Sequence, residues 1–131
     1  MPFPLSDAVK QIIWKGNVLR VLDQRLLPRR ISYIDCRTAA QVAESIRSMA
    51  LRGAPLIGCA AAYGMALAAK SQSRAELKKA GQILKKARPT AVNLSHAVDH
   101  MLDCAQKAPI GKSSLWLFLR EAAEKYFQYD L

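Results

Sequence analysis

An arginine, a glycine and a proline stand together in Arg52-Gly53-Ala54-Pro55, directly before a run of small apolar residues. These residue types build an anion site. Glycine permits unusual backbone dihedrals, proline suits a first helical turn, and the free N–H groups of that turn point outward at the positive end of the helix dipole. Arg52 adds a permanent positive charge. An ordinary helix start explains the same turn equally well, because many helices begin after a glycine without binding a ligand.

Arg88 is a second basic residue in a setting that suits an anion. Pro89 follows it, which disfavours helical dihedrals at Arg88 and indicates an extended loop. From such a loop the planar guanidinium can form paired hydrogen bonds with a phosphate or a sugar hydroxyl. A lone loop arginine is more often simply solvated, so the residues alone leave both interpretations open.

The histidines suggest a metal site that we do not predict. His96 and His100 stand four residues apart, with Asp103 and Cys104 further along the same helical face, a spacing that metal ligands can use. No glutamate lies between the histidines as it does in the HExxH pattern, and the aspartates suit plain solvated charges. We therefore expect no metal and no cofactor.

Four lysines, Lys78, Lys79, Lys85 and Lys86, could form a face for nucleic acid, since clustered cations contact phosphates. No aromatic side chains interleave with them and no nucleic-acid-binding signature is present, so a solvated helix face is the simpler interpretation. Cys59 lies inside an apolar, Ala-rich segment without a local base, which indicates an inert buried thiol.

Composition sets broad limits on the protein. The 131 residues, 51% of them hydrophobic, suffice for one domain with a sizeable core. A net charge of +10 favours encounter with anions of any kind. Three widely spaced cysteines predict a reduced cytoplasmic setting without disulfides or structural zinc. The start has no secretory signal pattern, and the longest uncharged run, 54–69, is shorter than the roughly 20 residues of a membrane span, so we expect no membrane contact.

The hydrophobic pattern predicts an α+β fold, a small antiparallel sheet of about three strands followed by a bundle of about five helices. Two apolar runs, 12–15 and 18–22, flank a Gly-Asn turn and predict a hairpin, and 31–34 predicts a third strand. Thr38 with Gln41, and Ser73 with Glu76, are capping patterns that predict helix starts, the first helix running to a stop at Gly53. The remaining helices are predicted at about 55–70, 91–107 and 114–129, with a loop at 109–111.

Three segments resemble the methylthioribose-1-phosphate isomerase family, whose relatives include the regulatory subunits of the eukaryotic initiation-factor-2 exchange factor. Residues 52–64, RGAPLIGCAAAYG, are similar to the family's phosphate-site segment; residues 21–28, VLDQRLLP, resemble its VLDQ-x-LLP; residues 88–94 match its RPTAVNL. They occur in family order. The resemblance runs from about Ile12 to about Asp130 and covers roughly the first third of a complete member. Leu56 and His96 depart from the family's usual alanine and aromatic residue.

The resemblance implies an aldose-ketose isomerase of methionine salvage that acts on a phosphorylated sugar. It implies substrate contacts for Arg52, Gly53, Ala54 and Arg88. It places the catalytic cysteine and aspartate in a larger α/β domain, so we expect no catalytic residue among 1–131 and no activity of this chain alone. Residues 1–131 are accordingly predicted to be a single amino-terminal domain, with 112–131 as a helix that links it to the catalytic domain.

The last predicted helix has an apolar surface wider than a capping helix needs, formed by Leu115, Trp116, Phe118, Leu119, Ala122, Ala123, Tyr126 and Phe127. Half of this surface is expected to face a partner, either a second copy in a homodimer or the α/β domain. Two alternatives to the isomerase stay open: a non-catalytic relative of the regulatory-subunit type that works by protein interaction, and an isomerase of ribose bisphosphate.

Overall fold

Three short strands form one antiparallel sheet in the order β1-β2-β3. The computed structural model describes residues 10–108 and 114–130, and the strands are β1 (Ile12–Trp14), β2 (Leu19–Leu22) and β3 (Tyr33–Cys36). The predicted hairpin is confirmed. The third strand begins two residues later than Ile31, because β2 ends at Leu22 and the residue opposite Leu22 is Tyr33.

Five α-helices follow the sheet in the described residues, which confirms the predicted α+β fold. They are α1 (Ala39–Arg47), α2 (Ala54–Ala68), α3 (Arg74–Ala87), α4 (Val92–Lys107) and α5 (Ser114–Asp130). Short 3-10 turns occupy Gln24–Leu26 and Ala69–Ser71. The loop predicted at 109–111 lies outside the described residues.

Both predicted capping residues begin helices. Thr38 Oγ1 accepts a hydrogen bond from the Gln41 amide at 3.1 Å, and Ser73 Oγ accepts one from the Glu76 amide at 3.2 Å. The prediction for the end of α1 is wrong, since the helix ends at Arg47 rather than near Gly53. Met49 has a φ of 70°, in the left-handed region, and this residue turns the chain out of the helix.

Helix α2 is the centre of the domain. It packs against the other four α-helices and against β1 and β2. Its residues from Ile57 to Leu67 are all buried, so it has no polar face, as its uniform apolar composition predicts. Among the described residues, no helix has both the length and the hydropathy to cross a bilayer.

The domain itself covers much of the apolar surface of α5. Leu115, Leu119, Ala123 and Tyr126 are buried. The ring of Trp116 lies under two cations, with Lys70 Nζ 5.5 Å and Arg120 Cζ 5.1 Å from the ring centroid. Trp116, which belongs to the surface of which half is expected to face a partner, therefore already has contacts within its own domain.

Candidate functional site

The first turns of α2 and α4 border the same pocket, which has a volume of about 420 Å³. Its walls come from the end of α1, the turn before α2 and the segment that enters α4. The lining residues are Met49, Arg52, Gly53, Ala54, Ile57, Arg88, Thr90, Ala91, Val92 and Asn93. All four residues predicted to contact substrate, Arg52, Gly53, Ala54 and Arg88, are among them, although Gly53 and Arg88 are 35 positions apart in sequence.

Gly53 shapes the start of α2. It is the N-cap residue, with φ 100° and ψ 121°, a conformation that L side chains rarely adopt. The first intrahelical hydrogen bond runs from the Ile57 amide to Gly53 O at 2.9 Å. The amides of Gly53, Ala54 and Leu56 precede that bond and have no acceptor within the helix, and Pro55 has no N–H. No side chain within residues 10–108 and 114–130 caps this end, so these donors are available to a ligand.

The start of α4 is open in the same way. Its N-cap residue, Ala91, has no side chain that can accept a hydrogen bond, and the first intrahelical bond runs from the Ser95 amide to Ala91 O at 3.2 Å. Gly58 allows α2 to approach this turn, since a Cβ at Gly58 would lie 3.3 Å from Asn93 O. Two uncapped helix N-termini, each carrying partial positive charge, therefore border one pocket.

Two guanidinium groups add full positive charge to the pocket. Arg52 is exposed and Arg88 is half-buried. In the described part of the chain neither forms an ion pair with a carboxylate. Arg88 Nη1 instead donates to the thioether sulfur of Met49 at 3.4 Å. Cations without counter-ions beside free backbone donors are an arrangement that holds phosphate, sulfate or carboxylate.

The VLDQ segment supports the turn that carries Arg52. The Gln24 amide donates to Ala50 O at 2.8 Å, and Gln24 Nε2 donates to Arg52 O at 3.4 Å. The buried Asp23 carboxylate accepts from the Arg25 amide at 3.1 Å and from its guanidinium at 2.8 Å. The hydrogen bond from the Arg25 side chain lowers the pKa of Asp23. This explains why a motif distant in sequence accompanies the Arg-Gly-Ala-Pro turn.

Sequence reasoning assigned no role to Gln24, Met49 or Asn93. Gln24 lies in the VLDQ segment and Asn93 in the RPTAVNL segment, so the motifs themselves were the signal for those two residues. No sequence signal marks Met49, because methionine has no preference for a left-handed turn.

A second pocket, of about 520 Å³, lies between α4 and α5. We call it the α4–α5 groove; it is lined by His96, His100, Cys104, Phe118, Glu121, Ala122, Lys125 and Tyr126. His96 Nδ1 lies 3.4 Å from Tyr126 Oη, and Cys104 Sγ lies 3.6 Å from His100 Nε2. Burial raises the pKa of the Cys104 thiol. Throughout residues 10–108 and 114–130, no three His, Cys, Asp or Glu side chains are grouped so as to hold a metal.

The lysines of α3 lie outside both pockets. Lys79 Nζ is 3.5 Å from Glu76 Oε1, and Lys85 Nζ is 2.6 Å from Asp99 Oδ1. Lys78 and Lys86 are exposed. Cys59 is fully buried in α2. These placements agree with the simpler interpretations of both groups.

Comparison with known protein families shows the family to which this chain belongs. Residues 50–128 match the Initiation factor 2 subunit family, and this segment is more than half of the chain. The chain belongs to the initiation factor 2 subunit family. The matched segment includes nine of the ten residues that line the pocket, all except Met49.

Relatives within the initiation factor 2 subunit family carry two kinds of name. A methylthioribose-1-phosphate isomerase of Synechococcus sp. is 40% identical over 129 residues, which are 93% of this chain and 37% of that protein. The crystal structure of 5-methylthioribose 1-phosphate isomerase from Pyrococcus horikoshii superposes with a TM-score of 0.83 at 31% identity, covering 93% of this chain and 36% of the other. Translation initiation factor eIF-2B, subunit delta, from A. fulgidus superposes with a TM-score of 0.80 at 35% identity, over 89% of this chain and 36% of the other. The chain thus spans about a third of the length of these relatives.

Proposed function

We propose that this chain is the amino-terminal, phosphate-holding domain of a methylthioribose-1-phosphate isomerase. The observation that carries the proposal is the pocket itself, where two arginines meet two helix N-termini, with no carboxylate partner and no side-chain cap among the described residues. The names of relatives about 40% identical in sequence supply the substrate class. In this proposal Arg52, Gly53, Ala54 and Arg88 bind the phosphate of the sugar.

Binding and proton transfer are separate tasks in such an enzyme. Isomerisation of an aldose to a ketose moves protons between two neighbouring carbons and requires a general acid and base. The pocket offers arginines, backbone amides, the Thr90 hydroxyl, the Asn93 amide and apolar side chains, none of which is suited to that exchange at neutral pH. The resemblance assigns proton transfer to a cysteine and an aspartate of the α/β domain, so the described pocket holds the substrate at a distance from the chemistry.

The anion site is tested by titrating the 131-residue chain with inorganic phosphate while recording backbone amide shifts. Charge-assisted contacts and helix termini of about 1 kcal/mol each, in an open and wet site, predict millimolar affinity. The largest shifts should fall on Gly53, Ala54 and the first turn of α4. Arg52→Ala should abolish binding, Arg88→Ala should weaken it, and the matched control Lys78→Ala should leave it unchanged. Shifts centred on residues 78–86 would place the site on the lysine face instead.

The enzymatic part of the proposal predicts that the purified chain does not turn over methylthioribose 1-phosphate. It also predicts that this sugar phosphate moves the same amide signals as inorganic phosphate, and binds more tightly because more of its surface is covered. Turnover abolished by a substitution within residues 10–108 would contradict the proposed division between holding and chemistry.

A non-catalytic, regulatory function is the second candidate. It is favoured by the similarity to translation initiation factor eIF-2B, subunit delta, at nearly the same TM-score as the isomerase. The two candidates differ in their ligand. A regulatory relative that has lost the substrate would bind phosphate and methylthioribose 1-phosphate with equal affinity, whereas an isomerase domain should prefer the sugar phosphate.

We also propose that the α4–α5 groove is covered by the α/β domain or by a second copy of this chain. Phe118 and Ala122, which line the groove, are only partly buried, and Leu117 on the same helix is 53% exposed. Exposed apolar surface of this kind favours association. Sedimentation at increasing concentration should show self-association of the chain, and Phe118→Gln should reduce it. A chain that stayed monomeric at every concentration would exclude self-association through the groove and leave the α/β domain as its proposed partner.

A further inference from the structure

Met49 occupies an unusual place for a methionine. Its φ of 70° lies in the left-handed region, where any residue other than glycine is disfavoured. Its side chain is 41% exposed, while Met65 and Met101 are fully buried. A methionine at this position is favoured neither by the backbone conformation nor by burial of its side chain. Its contact with the pocket is the remaining physical reason for a methionine here.

That contact is with Arg88. Arg88 Nη1 donates to Met49 Sδ at 3.4 Å, and both residues line the pocket of about 420 Å³ proposed to hold phosphate, which we call the anion pocket. A thioether is a weak and uncharged acceptor. It can therefore orient a guanidinium without neutralising it, whereas a carboxylate at the same place would pair with Arg88 and compete with the anion.

The backbone around Met49 is fixed by the end of α1. The Met49 amide donates to Ile46 O at 3.2 Å, and the Leu51 amide donates to Ser45 O at 3.0 Å. Arg88, in contrast, is the C-cap residue of α3 and carries a long side chain with several rotatable bonds. The thioether thus projects from a fixed backbone towards a side chain that is otherwise free to rotate.

We propose that Met49 is a positioning residue, which holds the Arg88 guanidinium in the orientation that receives the anion. The inference rests on the proposed function of this pocket as a phosphate site. Met49 does not contact the phosphate itself in this proposal, so its whole effect on affinity passes through Arg88.

A double-mutant cycle with inorganic phosphate as the probe tests this dependence in the 131-residue chain. Met49→Leu keeps the size and removes the sulfur; we expect it to weaken phosphate affinity about threefold, the effect of one modest hydrogen bond. Arg88→Ala should weaken affinity further, and adding Met49→Leu to Arg88→Ala should change nothing more. Phosphate should also shift the ¹³C signal of the Met49 ε-methyl group in the wild-type chain and not in Arg88→Ala.

Met49→Gly is the second variant, because glycine suits the positive φ and relieves the backbone. It should weaken phosphate binding as much as Met49→Leu does, since both lack the thioether. Wild-type affinity in Met49→Leu, or an equal loss in the Arg88→Ala background, would overturn the positioning role while leaving the phosphate site intact. Absence of phosphate-induced shifts at Gly53 and Ala54 in the wild-type chain would overturn the proposed function, and this inference with it.

Discussion

The pocket at the start of α4, proposed to hold an anion, and the α4–α5 groove share α4 as a wall and differ in the residues that line them. The anion pocket lies at the start of α4, where free backbone donors meet two arginines that pair with no carboxylate in the described part of the chain. The α4–α5 groove lies along the side of the same helix, where apolar and aromatic side chains predominate and the charged residues Glu121 and Lys125 have opposite signs. A helix has free backbone N–H donors only in its first turn. The start of α4 can therefore bind an anion, whereas the side of α4 offers only its side chains to a ligand.

Charge reversal at Arg52 should have the largest effect on phosphate affinity and should distinguish the two pockets most clearly. Arg52→Glu removes a charge-assisted contact and introduces a repulsive one, and we expect phosphate affinity to fall by about thirtyfold or more. Lys125→Glu makes the same change in the α4–α5 groove and should leave phosphate affinity within about twofold, because Lys125 does not line the anion pocket and salt screens exposed charges. Isothermal titration or amide shifts measure both variants. Similar losses in the two would show that net charge alone draws the anion.

Substitution of Gly53 should affect the anion pocket through the backbone. Gly53→Ala places a side chain at a φ of 100°, and we expect a loss of about 1–2 kcal/mol in the free energy of unfolding. Crowding does not contribute, since a Cβ at Gly53 would meet no atom within 4 Å. Chemical denaturation measures the loss. Ala54→Gly, one residue later, is the control and should cost less; an unchanged denaturation midpoint in Gly53→Ala would refute the strained conformation.

Acid should weaken the support of the anion pocket through Asp23. The pKa of Asp23 is lowered chiefly by the hydrogen bond from the Arg25 side chain. Its contribution to stability is therefore present above the ordinary aspartate pKa and is lost as pH falls through the lowered value. Asp23→Asn should cost about 1 kcal/mol in unfolding free energy at pH 7, and the difference from wild type should vanish at pH values below the native pKa. A difference that persists unchanged in strong acid would assign the cost to packing.

Modification of the cysteine thiols should have the smallest effect on phosphate affinity. Cys36 and Cys59 are fully buried, and burial raises the pKa of Cys36, so neither should react with iodoacetamide in the folded chain. Cys104, at the groove, should react slowly, because burial raises its pKa while leaving it partly accessible. Mass spectrometry measures the order of reaction. Phosphate affinity should stay within about twofold after Cys104 is modified, since the groove and the anion pocket use different parts of α4.

Much of the fold could be predicted because its signals are local. The Gly-Asn turn between apolar runs predicted the hairpin, and the side chains of Thr38 and Ser73 mark helix starts in sequence and structure alike. The end of α1 could not be predicted in this way. A left-handed methionine has no local sequence signature, and Gly53, six residues later, offered a conventional stop that the chain uses instead to begin α2.

The residues of the anion pocket could be predicted from the sequence, but their arrangement in space could not. Arg52 and Arg88 were identified from separate motifs, each of which had an ordinary explanation. Their convergence depends on Gly58, where α2 approaches Asn93, and on Gln24, which supports the turn at Arg52. Such contacts between distant segments leave no periodic pattern, so only the assembled structure shows them together.

Because α2 is enclosed by the other helices, its hydrogen-exchange rate shows how stable one wall of the anion pocket is. Amides between Cys59 and Ala66 lie in a helix enclosed by four others, so they should exchange their hydrogens with solvent only when the whole domain unfolds. The anion donors stand one turn before this slowest-exchanging segment. The start of α2 is therefore anchored to a helix of the core, and an anion would reach a wall that is already in place.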